Sequence, residues 1–221
     1  MFNLRVLDSE YARYAAWRRF AEDGHFLAQP DNHWDIVIFR RNDRVAVLRT
    51  GLTTQPHKVD YSAGDEILVI SFHPHCVMPA MPGDAMLNTG TFLDLVGQGT
   101  VNIASTSVEI PTLDNADAFV NRLAATGVVE VSRVVRSILD GNGHDVPERT
   151  RQRHFLKVTG LTYKRFTMIT RAQEAASLLR AGRPAADVAS ALGFADQAHM
   201  INSLRRILGQ TPGEIVRDDA P

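Results

Sequence analysis

The stretch Arg183–Leu208, RPAADVASALGFADQAHMINSLRRIL, reads as two short helices joined by a tight turn. Pro184 suits a first helical turn, where the missing amide hydrogen costs nothing. Val188, Ala189 and Leu192 form the inward face of that first helix, and Gly193 supplies the left-handed residue that ends it. Asp196 can cap a second helix whose core face is Met200, Leu204 and Ile207, at i, i+4, i+7 spacing. A helix pair joined in this way is a helix-turn-helix, whose second helix enters the major groove of DNA. The arc opposite the core face is centred on Asn202, with Ala198, His199, Arg205 and Arg206 around it. Asn pairs bidentately with adenine, His and Arg donate to guanine or phosphate, and Ala packs on a thymine methyl.

Working outward, a second reader is expected over Pro147–Val158, PERTRQRHFLKV. Glu148 complements the helix dipole, and Phe155 and Val158 face inward. Arg149, Arg153, Leu156 and Lys157 form the outward arc, with Gln152 on its flank. Arginine forks match guanine edges and phosphate oxygens. A helix over about 162–181, burying Phe166, Ile169, Ala172, Ala176 and Leu179, would join the two readers.

These motifs resemble the AraC/XylS family of transcription regulators. The matching residues are Glu148-Arg149-Thr150, Gln152-Arg153, Phe155, Thr159-Gly160-Leu161, Lys164-Arg165, Arg171-Ala172, Leu179, Val188-Ala189, the run Gly193-Phe194-Ala195-Asp196-Gln197, His199, Arg206 and Leu208-Gly209-Gln210-Thr211-Pro212. The resemblance covers about seventy residues and implies two readers on successive major-groove segments, joined by one rigid helix. It implies base contacts from Arg149, Gln152 and Arg153 in the first reader, and from Gln197, Ala198, His199, Ile201 and Asn202 in the second. Two departures fall in the first reader. Arg151 stands where the family buries a leucine, and the glycine-rich stretch Asp140–Asp145 lies where a positioning helix would normally end. An abbreviated first motif that grips phosphate more than it reads bases is therefore expected.

Charge supports a polyanionic partner. The formal net charge of −1 conceals 12 basic against 18 acidic residues up to position 146, and 12 against 7 beyond it. Between 147 and 209 the count is 11 basic to 4 acidic, a concentration suited to duplex DNA. No apolar run approaches the roughly 18 residues of a membrane span. The acidic pair in MFNLRVLDSEYARY does not fit a signal peptide. A cytoplasmic protein is expected. The single cysteine, Cys76, cannot form an internal disulfide, in keeping with a reducing compartment.

The fold class expected is α+β: a β-rich, cupin-like barrel over 1–115, a helical linker over 116–145 and an all-α domain with two helix-turn-helix motifs over 146–221. WDIVIFR, VAVLRT and EILVISF read as strands separated by RNDR and SAGD turns, and a helix is expected over Ser9–Ala21. Ala118, Val120, Leu123, Val129, Val131, Val134, Val135, Ile138 and Leu139 suggest a connecting helix or helix pair that either serves a homodimer or packs within the domain. Trp34, Ile36 and Ile38 could line an effector pocket, against which stands ordinary core packing. His73, His75 and Cys76 invite a metal, but position 79, where a cupin would place a glutamate, is Pro79, so no metal or other cofactor is expected.

The function expected is a one-component, effector-responsive regulator without catalysis. Duplex DNA is the main partner, and RNA polymerase and a small-molecule effector are further ones. Two rivals remain: a cupin-like metalloenzyme, and a protein-interaction module with a degenerate helix-turn-helix.

Overall fold

The computed structural model describes residues 2–97, 99–142 and 146–217. The chain forms two compact units. The first takes residues up to Phe26, His33–Leu52 and Val59–Thr162; the second takes Leu27–Asn32, Thr53–Lys58 and the chain from Tyr163 onward.

The first unit is built on strands β1 (Phe2–Val6), β2 (Ala12–Arg19), β4 (Trp34–Arg41), β5 (Arg44–Thr50), β7 (Glu66–Phe72), β9 (Gly90–Leu95), β10 (Thr100–Ile103) and β11 (Thr106–Glu109). They form one antiparallel sheet in the order β1-β2-β7-β4-β5-β9-β10-β11. The sheet is open, with β1 and β11 as edges, where a barrel was expected. Strands β8 (Cys76–Val77) and β12 (Glu130–Val131) pair with each other, as do β3 (Gly24–Ala28) and β6 (His57–Tyr61).

The three strands read from the sequence are present as β4, β5 and β7. Their turns use the expected chemistry: Asn42 and Gly64 have positive φ, and the Asp65 carboxylate accepts from the Ser62 amide at 2.8 Å. Both faces of β4 are covered. Trp34, Ile36 and Ile38 are buried on one; Val37 packs on the other with Phe20 and Ile67, flanked by Phe26, Phe39 and Tyr61.

The helix expected over Ser9–Ala21 is instead strand β2. YARYAAWRR is rich in helix formers, but it pairs along β7 from Ala12↔Phe72 to Arg19↔Glu66. Ala12, Ala15 and Ala16 are buried, and burial against a paired neighbour outweighs a propensity of a few tenths of a kcal/mol per residue.

The stripe from 118 to 139 also divides. Val120 and Leu123 are buried on α2 (Ala116–Ala125), whereas Val131 lies in β12. Helix α3 (Arg133–Leu139) begins with Ser132 as its cap, the hydroxyl accepting from the Val135 amide. Short α1 (Gly83–Met86) and α4 (Glu148–Thr159) complete the unit. Helix α3 is the second of the expected helix pair; it packs on α4 and ends at the glycine-rich stretch, in the place of a positioning helix. Part of the intervening glycine-rich stretch lies outside the described residues.

The second unit contains α5 (Tyr163–Arg180), α6 (Ala185–Ala191), α7 (Gln197–Leu208) and α8 (Pro212–Arg217). The expected buried set of α5 is observed, with Ala175 added. Segments from the N-terminal half are stitched to this helix. Buried Asn32 donates to the Phe166 carbonyl at 2.9 Å and to the Thr170 hydroxyl, and Gln173 donates to the Pro30 carbonyl at 2.8 Å. No local sequence pattern announces these contacts.

Candidate nucleic-acid interface

Helix α7 is amphipathic in the expected sense. Met200, Leu204 and Ile207 are buried, joined by Ser203 and Leu208. Gln197, Ala198, His199, Asn202, Arg205 and Arg206 are exposed, and Ile201 is half-buried. Gly193, at φ +67°, makes the turn. The N-terminus of α7 is fixed by Asp196, whose carboxylate accepts from the His199 amide at 2.7 Å. Capping here satisfies an amide that helix geometry leaves open.

The turn also aims a side chain. The Ala195 amide donates to Nδ1 of His199 at 3.3 Å, which assigns the ring proton to Nε2 in the neutral form. The ring meets Phe194 edge-on, with centroids 5.6 Å apart. The Arg171 guanidinium lies over the other ring, 4.4 Å from the Phe194 centroid. His199 is therefore held as a donor at the start of the helix.

Beyond α7, Gly209 at φ +70° stops the helix. Thr211 and Glu214 then form a reciprocal cap for α8: the Thr211 amide donates to Glu214 at 2.7 Å, and the Glu214 amide to the Thr211 hydroxyl at 3.3 Å. The Thr211 amide, and its hydroxyl at 2.8 Å, both donate to the Glu214 carboxylate and hold it below its usual range. The sequence run GQTPGE is thus a helix stop followed by a capping box.

On α4, Arg149, Gln152, Arg153, Leu156 and Lys157 are exposed and Phe155 and Val158 are buried. Gln152 donates to Glu148 one turn back at 3.0 Å. Arg151 is half-buried. The exposed arcs of α4 and α7 thus contain the DNA-contact candidates apart from half-buried Ile201, and the two helices belong to different compact units.

Residues 144–218 match the family model described as a helix-turn-helix domain. The C-terminal region is a helix-turn-helix domain of the AraC type. The domain so matched begins at 144, whereas the second compact unit takes up the chain again at Tyr163. Among solved structures, the chain is similar to ToxT from Vibrio cholerae, at 11% identity and a TM-score of 0.44 over 98% of each chain. It is also similar to ToxT bound to (E)-4-(8-methylnaphthalen-1-yl)but-3-enoic acid, at 8% identity and 0.48 over 99% of each. ToxT with bound unsaturated fatty acid gives 9% and 0.47, over 97% of this chain and 94% of that one. No curated protein matches the chain.

The other candidates lie in the β-rich unit. Trp34 stacks on Phe72 with centroids 4.0 Å apart and donates from its indole to the Cys76 carbonyl at 2.9 Å. With Ile36 and Ile38 it fills core. An apolar recess of about 310 Å³ lies among Phe39, Ala46, Tyr61, Ile67 and Phe92, on the opposite face of β4. Cys76 is fully buried, and burial pushes its thiol up to about 12. His73 and His75 stack at 5.0 Å, and among the described residues no group of three or more His, Cys, Asp or Glu could hold a metal ion. No helix is long and apolar enough to cross a membrane among those residues.

Proposed function

We propose that the protein is a one-component transcription regulator that binds specific duplex DNA, with α7 as the principal reading helix. The observation that carries this reading is the exposed row Gln197, Ala198, His199, Asn202, Arg205 and Arg206 above a fully buried face, within the matched domain. Asn202 and His199 supply base-edge hydrogen bonds, and Ala198, Gln197 and Ile201 contact neighbouring edges. Arg205 and Arg206 neutralise phosphates.

In the first reader, Arg149, Gln152, Arg153 and Lys157 contact DNA chiefly through phosphates. If Arg153→Ala abolishes a base preference without weakening non-specific binding, that phosphate role is wrong.

Selection of bound duplexes from a random pool at physiological salt tests the proposal. Wild type enriches a motif, and Asn202→Ala loses preference at one or two positions, each worth about 1–3 kcal/mol. Enrichment of no motif by wild type overturns it.

The recess lined by Phe39, Tyr61, Ile67 and Phe92 is the candidate effector site. The exposed lining is mainly apolar, but Arg40, Arg41, Asp60, Asp65 and Glu66 also line the recess, and its volume of about 310 Å³ suits a small, largely hydrophobic molecule. The homodimer and the contact with RNA polymerase implied by the family resemblance belong to the same proposal. Mass measurement of the DNA complex checks the first.

A further inference from the structure

Helix α4 is a candidate DNA contact, yet its most extensive packing among the described residues is against α1, α3 and β8, all in the first unit. The seat is backbone against backbone. Gly83 opens α1, is buried, and lies so close to α4 that a methyl group on it would overlap the Val158 carbonyl. Gly160, at φ +75°, ends α4, and a Cβ there would fall 2.6 Å from the Gly83 carbonyl oxygen. Two glycines facing each other allow an approach that side chains would forbid.

Helix α1 is held just as closely from behind. A methyl group on Gly51, at the end of β5, would overlap the Met86 carbonyl. The Gly51 amide donates to the Thr89 carbonyl at 2.8 Å, and the Asn88 amide to the Leu52 carbonyl at 2.9 Å. Strand β9 starts at Gly90 and pairs with β5. A continuous backbone path therefore runs from the β5–β9 pair, which contributes Ala46 and Phe92 to the recess, through α1 to α4. Helix α5, which follows α4 after three residues, packs on α6, α7 and α8.

We propose that α4 is aimed at DNA by the β-rich unit, with Gly83 as its positioning residue, while α7 is aimed by the helical unit. The proposal rests on the DNA-binding reading above. A change in the β-rich unit then alters the grip of α4 and leaves that of α7 untouched.

Two measurements on the full chain test it. In hydrogen exchange at rising denaturant, amides of Glu148–Thr159 lose protection together with those of Arg133–Leu139, and separately from Tyr163–Leu208. Joint loss with Tyr163–Leu208 overturns the proposal. In the second measurement, Arg153→Ala weakens binding to the selected duplex several-fold in wild type but less than two-fold in a Gly83→Val background. Asn202→Ala costs the same factor in both. An undiminished Arg153→Ala effect in Gly83→Val overturns the proposal, as does an equal reduction of the Asn202→Ala effect. If Gly83→Val does not fold, the exchange experiment on wild type decides alone. If wild type selects no duplex, the regulator reading falls, and exchange still decides where α4 is seated.

Discussion

Asp35 sits in β4 with its Oδ1 buried and, among the described residues, without a hydrogen-bond partner within normal geometry. Burial lifts its carboxyl to about 6, partly opposed by Ser71 and Arg49. Arg49, fully buried over Trp34 at 4.7 Å, donates to the Thr50 and Met81 carbonyls and is lowered to about 10, chiefly by burial. Because the native chain keeps the Asp35 proton up to a higher pH than the unfolded chain, this group makes stability fall as pH rises from about 4 to about 6. His33 works in the other direction. Held neutral down to about 3 by burial and by Arg13, it makes stability fall as pH drops below about 6.5. The difference between Asp35→Asn and wild type isolates the first effect. Denaturant titrations should show the variant gaining up to about 3 kcal/mol relative to wild type between pH 4 and pH 7; a pH-independent difference would mean that Asp35 ionises normally in the fold.

Capping decides how well individual helices are defined. Replacing Asp196 by Ala removes the acceptor for the His199 amide and is expected to cost about 1 kcal/mol of stability. It also frees the first turn that carries Gln197, Ala198 and His199, so affinity for a selected duplex should fall by more than the loss in stability alone would produce. Equal affinity in both proteins would show that the cap does not order the reading turn. At this scale much was legible in the sequence. Gly193, Asp196, the Met200-Leu204-Ile207 face and the buried positions of α5 all follow from local periodicity and cap chemistry, and tertiary burial agrees with them. Strand β2 was not legible, since its identity depends on pairing with β7 some fifty residues away, against the propensity of its alanines and arginines. Helix α3 was legible from Val134, Val135, Ile138 and Leu139, but its packing against α4 was not. The DNA-contact candidates were legible as exposed arcs, but the seating of α4 on α1 depends on Gly83, a residue with no helical or metal-binding signature of its own.

The whole chain carries opposite charges in its two halves, and duplex binding should register only the basic part. Affinity is expected to fall linearly with the logarithm of salt concentration, with a slope close to −0.9 for each phosphate neutralised. Arg206→Ala should reduce that slope by about one without altering the selected motif; a changed motif would make Arg206 a base reader. The chain is also interleaved. Asn32, with a side chain that donates to Phe166 134 residues away, belongs to the helical unit, so Asn32→Ala should lower the stability of that unit by about 1–3 kcal/mol. Exchange protection of α5 would record the loss, and unchanged protection would show that the N-terminal segments merely lie alongside.

The lone thiol of Cys76, fully buried and held protonated far above neutral pH, gives the molecule a practical property. Alkylating and maleimide reagents attack thiolates, so native Cys76 should remain silent toward them. A cysteine placed on an exposed position such as Ala198 would then be the only reactive one, and a dye attached there could report the environment of the reading helix in the otherwise unaltered chain.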